Sequence, residues 1–536
     1  LTTVPGCRAY VGSLDVDLGG AVSLSSTITW SLPFSNTVFF PGSKLSAQGV
    51  ALFDPAFPLL NGENGGFLLS NGVLRTTFTQ LARRGAGPAF PPGAVATAGR
   101  GPATKPRAPW QRPEAIASLR RRMVHVVFAI PFAAENTQRF ARAAASLPGV
   151  QLSVVSQDPK GRFPADFLDC LCGFEQVADA MQPDDLARGV KALAERFGPA
   201  ERLLGILEPL QEPLAVVRER LRIRGMDSAT ARNFRDKARM KDLFFAHDLP
   251  CARHRLCTSV AEARDFAGEV GFPLVGKPPA GAGAKSTARC DTMEQLNTFL
   301  RQHPPGRGRE VLLEEFVLGR EFSFDSVTLH GQHVFHNVCC YYPTPLAVME
   351  NPWIQWCVVL PRDLSGPEFH DIHRIGPRAL STLGMWNGMS HMEWFRRPDG
   401  RIAIGEVAAR PPGAQFMTLM SYATDSDLYR AFAQLMVEET FTAPERRYAV
   451  GAAYLRGQGM KRKGDGGDLR IRAVHGLEAM QQQVGELVVE ARLPAIGKPP
   501  NSSYEGDGFV VVRHPDTRVV TDAVQRIVRT VHVELG

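Results

Sequence analysis

The chain has 536 residues, of which 44% are hydrophobic and 21% are charged, a composition typical of a globular protein of several domains. It contains no run of 18 or more apolar residues, so the sequence predicts no membrane-spanning helix. Residues 1–122 hold 12 basic and 5 acidic side chains, and the rest of the chain holds 49 of each. The formal charge of +7 therefore lies entirely in the first 122 residues, and we expect no nucleic-acid partner.

The nine cysteines are odd in number and include no C-x-x-C pair. Two close pairs, Cys170 with Cys172 and Cys339 with Cys340, are not followed by histidines at zinc-ligand spacing. Free thiols are therefore predicted, and we expect a cytoplasmic protein without a secretory signal.

Residues 1–122 differ in composition from the rest. Their first 80 or so residues are rich in Ser, Thr and Gly, and residues 85–113 are dense in Pro, Gly and Ala. Such segments bury too little apolar surface to fold. We expect this extension to be disordered or a mispredicted start, because Met123 opens a clean strand and is the candidate natural first residue.

An α/β pattern begins at Met123. Apolar runs predict strands at 123–132, 150–156 and 203–208, the last ending in Glu208, and helices around 140–147 and 183–197. Strands that alternate with helices indicate a small, doubly wound parallel domain over residues 123–225. No G-x-G-x-x-G follows the first strand, so a dinucleotide site is not expected.

Two lysine-bearing segments follow. Residues 233–249 predict one amphipathic helix, on which Lys237 and Lys241 are expected to lie on a solvated face. A short strand then ends in Lys277, and the loop after it contains small and polar residues whose backbone N–H groups can approach phosphate oxygens closely. The loop residues of interest are Gly281, Gly283, Lys285, Ser286 and Thr287. The spacing is not that of a Walker loop.

Residues 311–327 predict two strands around Leu318-Gly319. Glu314, Glu315, Phe316 and Val317 combine apolar walls with donors and acceptors, a mixture that suits an adenine ring. Glu321 lies on one face of the second strand. The aromatic segment 339–361 is either a core-edge loop or a pocket wall, and a helix follows at about 367–383.

Residues 391–410 predict a hairpin that turns at Asp399-Gly400. Because Pro398 cannot donate a ladder hydrogen bond, a loop of either two or four residues is expected. Both loops place Glu393 directly opposite Glu406, where two carboxylates repel unless a divalent cation lies between them. A helix over 427–438 and a separate C-terminal α/β unit over 446–536, with a solvated loop at 461–468, complete the prediction.

In order and spacing, these segments resemble the ATP-grasp superfamily from about residue 123 onwards. The resemblance implies a two-lobed ATP-grasp domain over 226–445 that binds ATP and Mg²⁺, with Mn²⁺ as a substitute. It implies nucleotide contacts, metal ligands and an arginine that steadies a phosphorylated intermediate. The implied residues are Lys237, Lys277, Gly281, Gly283, Ser286, Glu314, Glu315, Phe316, Val317 and Glu321 for the nucleotide, Glu393 and Glu406 for the metal, and Arg410 and Lys277 for catalysis.

The family chemistry implies an ADP-forming ligase that joins a small carboxylate to an amine through an acylphosphate, often as a homodimer. One position departs from the family pattern, because Ala408 stands where an asparagine commonly completes the metal shell. Two alternatives remain open. One is a carboxylase-like or carbamoyl-phosphate-synthase-like enzyme. The other is an ATP-binding protein with little catalysis, which Ala408 favours.

Overall fold

The structure is a computed structural model that describes residues 8–11, 14–17, 123–279, 287–351, 353–458 and 469–536. The described residues 8–11 and 14–17 belong to a first unit, and the described residues from 123 onwards belong to a second, compact unit. In the first unit, β1 (Arg8–Val11) pairs with β2 (Leu14–Asp17) in antiparallel register. The predictions for the rest of residues 1–122 and for the loop 461–468 lie outside the described residues.

The second unit begins with a four-stranded parallel sheet, as predicted. Its strands are β3 (Val124–Ala129), β4 (Val150–Ser156), β5 (Gly173–Gln176) and β6 (Arg202–Leu204), in the order β5-β4-β3-β6. The helices of this region are α1 (Glu135–Ala145), α2 (Ala165–Leu168), α3 (Pro183–Phe197) and α4 (Gln211–Leu221). Most residues of β3 and β4 are buried, as strands covered on both faces require. The strand predicted to reach Glu208 ends at Leu204, and Glu208 opens a short 3-10 turn.

The single helix predicted over 233–249 is wrong, because the chain forms two helices, α5 (Ser228–Arg235) and α6 (Lys237–Ala246). Asp236 separates them with extended backbone, and its carboxylate accepts hydrogen bonds from the N–H groups of the second and third residues of α6, each at 3.1 Å. This N-cap makes Lys237 the first residue of α6. The Lys237 N–H then donates to the Pro279 carbonyl oxygen at 3.0 Å, which ties the helix start to the segment after Lys277.

A four-stranded antiparallel sheet forms the next layer. Its strands are β7 (His254–Cys257), β8 (Leu274–Lys277), β9 (Ala288–Cys290) and β10 (Val311–Glu315), in the order β7-β10-β8-β9. The helices α7 (Val260–Val270) and α8 (Met293–Gln302) supply Phe266, Leu296 and Phe299 to its core. This layer carries Lys277 and Glu314 on neighbouring strands.

An eight-stranded antiparallel sheet carries Glu321, Glu393 and Glu406. Its strands are β11 (Arg320–Leu329), β12 (Gln332–Tyr342), β13 (Trp356–Leu360), β14 (Gly388–Arg396), β15 (Ile402–Ala408), β16 (Ala449–Leu455), β19 (Val488–Arg492) and β20 (Gly508–His514), in the order β15-β14-β11-β12-β13-β16-β20-β19. A small sheet holds β17 (Gly457–Gln458), β18 (Ile471–His475) and β21 (His532–Leu535).

The domain boundary predicted at residue 445 stays a prediction, and one sheet spans that position. Strand β16 pairs directly with β13, so the large sheet runs without interruption across residue 445. The apolar residues of β16, such as Val450 and Ala452, belong to the same core as Phe416.

The remaining helices are α9 (Pro345–Glu350), α10 (Pro367–Leu383), α11 (Phe416–Thr424), α12 (Leu428–Val437), α13 (Leu477–Val484) and α14 (Thr517–Thr530). Two of them match the predicted helices at 367–383 and 427–438 closely. Among the described helices, none combines the length and apolar character that crossing a membrane requires. All eight described cysteines are free thiols, as predicted.

Candidate active site

One cavity of about 280 Å³ brings together the predicted residues from both antiparallel sheets and from α6. Its lining includes Lys237, Lys277, Glu314, Glu315, Phe316, Val317, Glu321, Glu393, Glu406 and Arg410. The predicted loop residues Gly281, Gly283, Lys285 and Ser286 lie outside the described residues, whereas Thr287 lines the cavity. Residues far apart in the chain therefore converge on one cavity.

The hairpin places Glu393 of β14 opposite Glu406 of β15, as predicted. Its loop is different from both predicted loops, since Arg396 pairs with Ile402 and residues 397–401 connect the strands. A bulge at Gly405 then shifts the register by one residue, so the pairing at the glutamates agrees with the prediction. The one-residue difference in register at the loop and the one-residue shift at the bulge offset each other, so Glu393 still pairs with Glu406.

Lys241 of α6 stabilises this bulge through a hydrogen bond. Its side chain is fully buried, and its Nζ donates to the Gly405 carbonyl oxygen at 2.8 Å and lies 3.6 Å from the Glu314 carboxylate. The expectation of a solvated Lys241 is therefore wrong. Helical spacing indicated which face of α6 the lysine occupies, but it did not indicate that β15 covers that face.

The charged groups of the cavity are paired across it. Lys237 Nζ lies 2.7 Å from Glu406 Oε2, and Lys277 Nζ lies 2.9 Å from Glu314 Oε1. Burial alone would raise the pKa of Glu406, but Lys237 and Lys277 lower it to about 2. Burial, together with the charges of Glu393 and Glu406, raises the pKa of Glu321 well above its ordinary value. The carboxylate pair thus lies among both acidic and basic side chains of the cavity.

His391 stands beside this pair. It lies opposite Ala408 in the β14–β15 ladder, its Nδ1 is 2.5 Å from Asp325 Oδ1, and its Nε2 is 3.8 Å from Glu393 Oε1. Burial opposes protonation, but Asp325 outweighs it and raises the pKa of His391 to about 9. At neutral pH an imidazolium therefore lies beside the position where the family commonly has an asparagine oxygen.

Arg410 follows β15 and is held by a residue of the parallel-sheet region. Its Nε donates to Glu208 Oε2 at 2.8 Å, and Arg235 Nη1 contacts the other oxygen of Glu208 at 3.0 Å. Glu208 is 9% exposed and lines the same cavity. Sequence reasoning did not assign Glu208 to the site. The available signal was an acidic residue just after an apolar strand of a parallel sheet, where ligand sites commonly form.

An aromatic wall closes one side of the cavity. The rings of Tyr341, Trp356, Phe416 and Tyr504 lie 4.9 to 6.3 Å apart between neighbouring centroids. The segment 339–361 therefore contributes a pocket wall as well as core strands. Tyr504 was not predicted, and nothing in its local sequence marks it.

The donor set of the pair suits magnesium bound together with a nucleotide. Magnesium prefers oxygen ligands and is usually held by one or two carboxylates plus substrate phosphates. Glu393 and Glu406 supply two carboxylates, and Glu321 lines the same cavity. Among the described residues, no group of three or more His, Cys, Asp or Glu side chains has the arrangement of a self-sufficient metal site.

Comparisons with known proteins agree with this architecture. Residues 242–426 match the sequence profile of the ATP-grasp domain. An uncharacterized protein named y4rH from Sinorhizobium fredii is 24% identical over 267 residues, which cover 48% of this chain and 54% of that protein. An L-arginine-specific L-amino acid ligase from Bacillus subtilis is 23% identical over 249 residues, which cover 45% and 59%. The chain thus matches less than two thirds of these relatives' length.

Solved structures show the same fold. An L-amino acid ligase from Bacillus licheniformis superposes with a TM-score of 0.60 at 17% identity, covering 77% of this chain and 98% of that chain. The biotin carboxylase domain dimer of Hydrogenobacter thermophilus 2-oxoglutarate carboxylase, in complex with MgADP and bicarbonate, superposes with a TM-score of 0.56 at 17% identity, covering 77% and 91%. The α/β architecture predicted from the sequence is confirmed. Residues 242–426 therefore resemble an ATP-grasp domain in sequence, and the fold of the chain agrees with that resemblance.

Proposed function

We propose that this chain is an ATP-dependent, magnesium-requiring ligase that activates a carboxylate as an acylphosphate and joins it to an amine. The observation that carries the proposal is the convergence of two lysines, a facing pair of carboxylates and an arginine in one cavity. They are Lys237, Lys277, Glu393, Glu406 and Arg410. Phosphoryl transfer depends mainly on positioning and charge stabilisation, which this set can supply.

In the proposed reaction, a carboxylate oxygen of the first substrate attacks the γ-phosphorus of ATP. The bond from that phosphorus to the bridging oxygen breaks, and ADP leaves. The amine nitrogen of the second substrate then attacks the acyl carbon and gives up a proton, and the carbon–oxygen bond to the phosphate breaks. The products are an amide, ADP and inorganic phosphate, and the phosphate retains one oxygen of the original carboxylate.

The side chains divide this work by their chemistry. Lys237 and Lys277 would exchange their present partners, Glu406 and Glu314, for phosphate oxygens. Magnesium held by Glu393 and Glu406 would neutralise charge on the transferring phosphoryl group. Arg410, oriented by Glu208, would present a planar guanidinium to the developing anion.

The relatives support amino acids as the first substrate class to examine. The Bacillus subtilis relative is named for L-arginine, and the Bacillus licheniformis structure is that of an L-amino acid ligase. The aromatic wall beside the carboxylate pair gives a substrate side chain an apolar surface to contact. The identity of both substrates, the homodimer, use of Mn²⁺ and a cytoplasmic location stay predictions.

The test is phosphate release by the full chain with ATP, Mg²⁺ and pairs of L-amino acids. We expect release that requires both an amino-acid pair and Mg²⁺ and yields equal amounts of ADP and phosphate. ATP binding without turnover over a broad panel of acids and amines would instead favour the non-catalytic alternative, for which Ala408 and the His391 imidazolium are the relevant observations. Turnover that depends on bicarbonate would favour the carboxylase-like alternative.

A further inference from the structure

A second cavity, of about 450 Å³, lies on the other side of Arg410, which lines both cavities. Its walls come from the edge strand β6, the segment that joins α4 to α5, the start of β14, and α12. The residues that matter for its chemistry are Arg202, Arg218, Arg224, Phe432, Leu435 and Glu439. The proposed ligase reaction leaves this cavity unused.

Arg218 is the unusual group in this cavity. Its side chain is 6% exposed, and two of its nitrogens, Nε and Nη2, donate to the Leu203 carbonyl oxygen at 3.0 and 2.8 Å. No described carboxylate lies within ion-pair distance of its guanidinium. The third nitrogen, Nη1, has no hydrogen-bond partner among the described residues. A buried charge without a counter-charge is costly, and a bound anion would remove that cost.

The neighbouring arginines form ion pairs with carboxylates, whereas Arg218 forms none with a described residue. Arg202 and Arg224 share the Glu439 carboxylate at 3.2 and 2.9 Å, and Arg410 is paired with Glu208. Burial lowers the pKa of Arg218 to about 10, which is consistent with a guanidinium that has lost water without gaining a carboxylate.

The backbone at Gly225 leaves room for the Arg218 side chain. Gly225 has a φ of +148°, and a Cβ at this position would lie 2.7 Å from Arg218 Cδ and 2.9 Å from Nε. Only glycine therefore allows the α4–α5 segment to pass over the guanidinium. The arginine is held in place from the strand side and from the loop side, so its free nitrogen has a fixed position.

The size and the walls of the cavity select the kind of anion. The volume far exceeds that of one inorganic phosphate, and α12 contributes the apolar side chains of Phe432, Leu435 and Met436. An anion with an apolar body would contact these side chains while its charged end met the guanidinium. We propose that this second cavity binds a small organic carboxylate, with the carboxylate group on Arg218 and the apolar body against α12.

Equilibrium binding to the full chain tests this proposal without turnover and without ATP, so it does not depend on the ligase function. The probes are hexanoate, 4-phenylbutyrate and inorganic phosphate, measured by titration calorimetry. We expect both organic carboxylates to bind and phosphate to bind at least tenfold more weakly. Arg218→Met should weaken carboxylate binding by roughly tenfold or more, since a hydrogen bond to a charged group is lost.

The matched control is Arg220→Met on the same helix, because Arg220 is half exposed and pairs with Asp184; it should bind the probes like the original chain. If Arg218→Met fails to fold by circular dichroism, Arg224→Glu decides the question, because that exposed side chain lies at the cavity mouth and its reversal should also weaken binding. Absence of carboxylate binding, equal binding of phosphate, or unchanged binding in the folded variants would overturn the proposal.

Discussion

Lys241 donates a hydrogen bond from Nζ to the carbonyl oxygen of Gly405, at 2.8 Å, and so holds the bulge that aligns Glu406 with Glu393. The lysine is fully buried and also lies near Glu314. A Cβ at Gly405 would approach the Phe395 ring at 3.1 Å and the Glu393 carbonyl oxygen at 3.2 Å, so the bulge packs tightly. The position of Glu406, the proposed metal ligand, therefore depends on a lysine that has no direct role in the proposed chemistry.

Lys241→Met should lower kcat at least tenfold, because Glu406 loses its alignment. We also expect a loss of about 1–3 kcal/mol in the free energy of unfolding, measured by urea titration, since a buried hydrogen bond is removed. Lys191→Met, at an exposed position of α3, is the control. A variant that is less stable but retains its kcat would show that Lys241 is structural only.

Glu406→Gln should reduce phosphate release by roughly 100-fold or more while the fold is retained. The amide keeps the shape of the side chain but loses the charge that metal binding requires. Circular dichroism checks the fold and a coupled assay measures turnover, with Glu195→Gln on the exposed surface of α3 as the control. Unchanged turnover in Glu406→Gln would remove the metal assignment.

Arg410→Lys should also lose activity, because an ammonium group does not replace a planar fork of donors. Glu208→Gln should lower kcat less severely, since Arg410 would keep its charge and its hydrogen bond to the Pro411 carbonyl oxygen but lose the carboxylate that orients it. Steady-state kinetics of both variants give the comparison. Equal activity of Arg410→Lys and the original chain would contradict the role given to this arginine.

Stability should fall as the pH drops below 6.5, because of a half-buried histidine cluster on β12 and α10. His333 Nε2 lies 3.1 Å from His336 Nδ1, and the rings of His336 and His373 are 4.6 Å apart. Burial lowers the pKa of His333 to about 4 and that of His336 to about 3. Between those values and the ordinary value of about 6.5, the unfolded chain binds protons that the folded chain does not, so acid favours unfolding.

His336→Phe should therefore reduce the stability lost between pH 7 and pH 5 by about 1–2 kcal/mol. The ring is retained, so the stacking on Phe324 can persist. Urea titrations at several pH values measure the effect, and His532→Phe, at an exposed position, is the control. An acid loss that is the same in His336→Phe and the original chain would contradict the assignment.

Local patterns predicted most elements of the fold, and the hairpin shows the limit of that success. A loop centred on Asp399-Gly400 predicts the pairing of Glu393 with Glu406, yet the observed loop has five residues, 397–401, and the register beside it differs by one residue. Only the bulge at Gly405, held by Lys241 from a distant helix, restores the alignment. A tertiary contact of this kind leaves no mark in the local sequence.

Residues that reach the site from other parts of the fold were missed for the same reason. Glu208 follows a strand of the parallel sheet and Tyr504 follows β19, and no local pattern connects either residue with the carboxylate hairpin. The sequence does contain a signal for the break at Asp236. Aspartate is a common N-cap, because its carboxylate can accept hydrogen bonds from the N–H groups two and three residues later. Because helical periodicity continues on both sides of Asp236, the pattern predicts one continuous helix instead of two.

The most direct measurement of the central claim follows an isotope. The full chain is incubated with ATP, Mg²⁺ and an active amino-acid pair in which the carboxylate donor carries ¹⁸O, and the released phosphate is analysed by mass spectrometry. A cavity that transfers the γ-phosphoryl group to a carboxylate predicts one ¹⁸O atom in each phosphate. Unlabelled phosphate released at the full rate would contradict the account, because the oxygen would then have come from water.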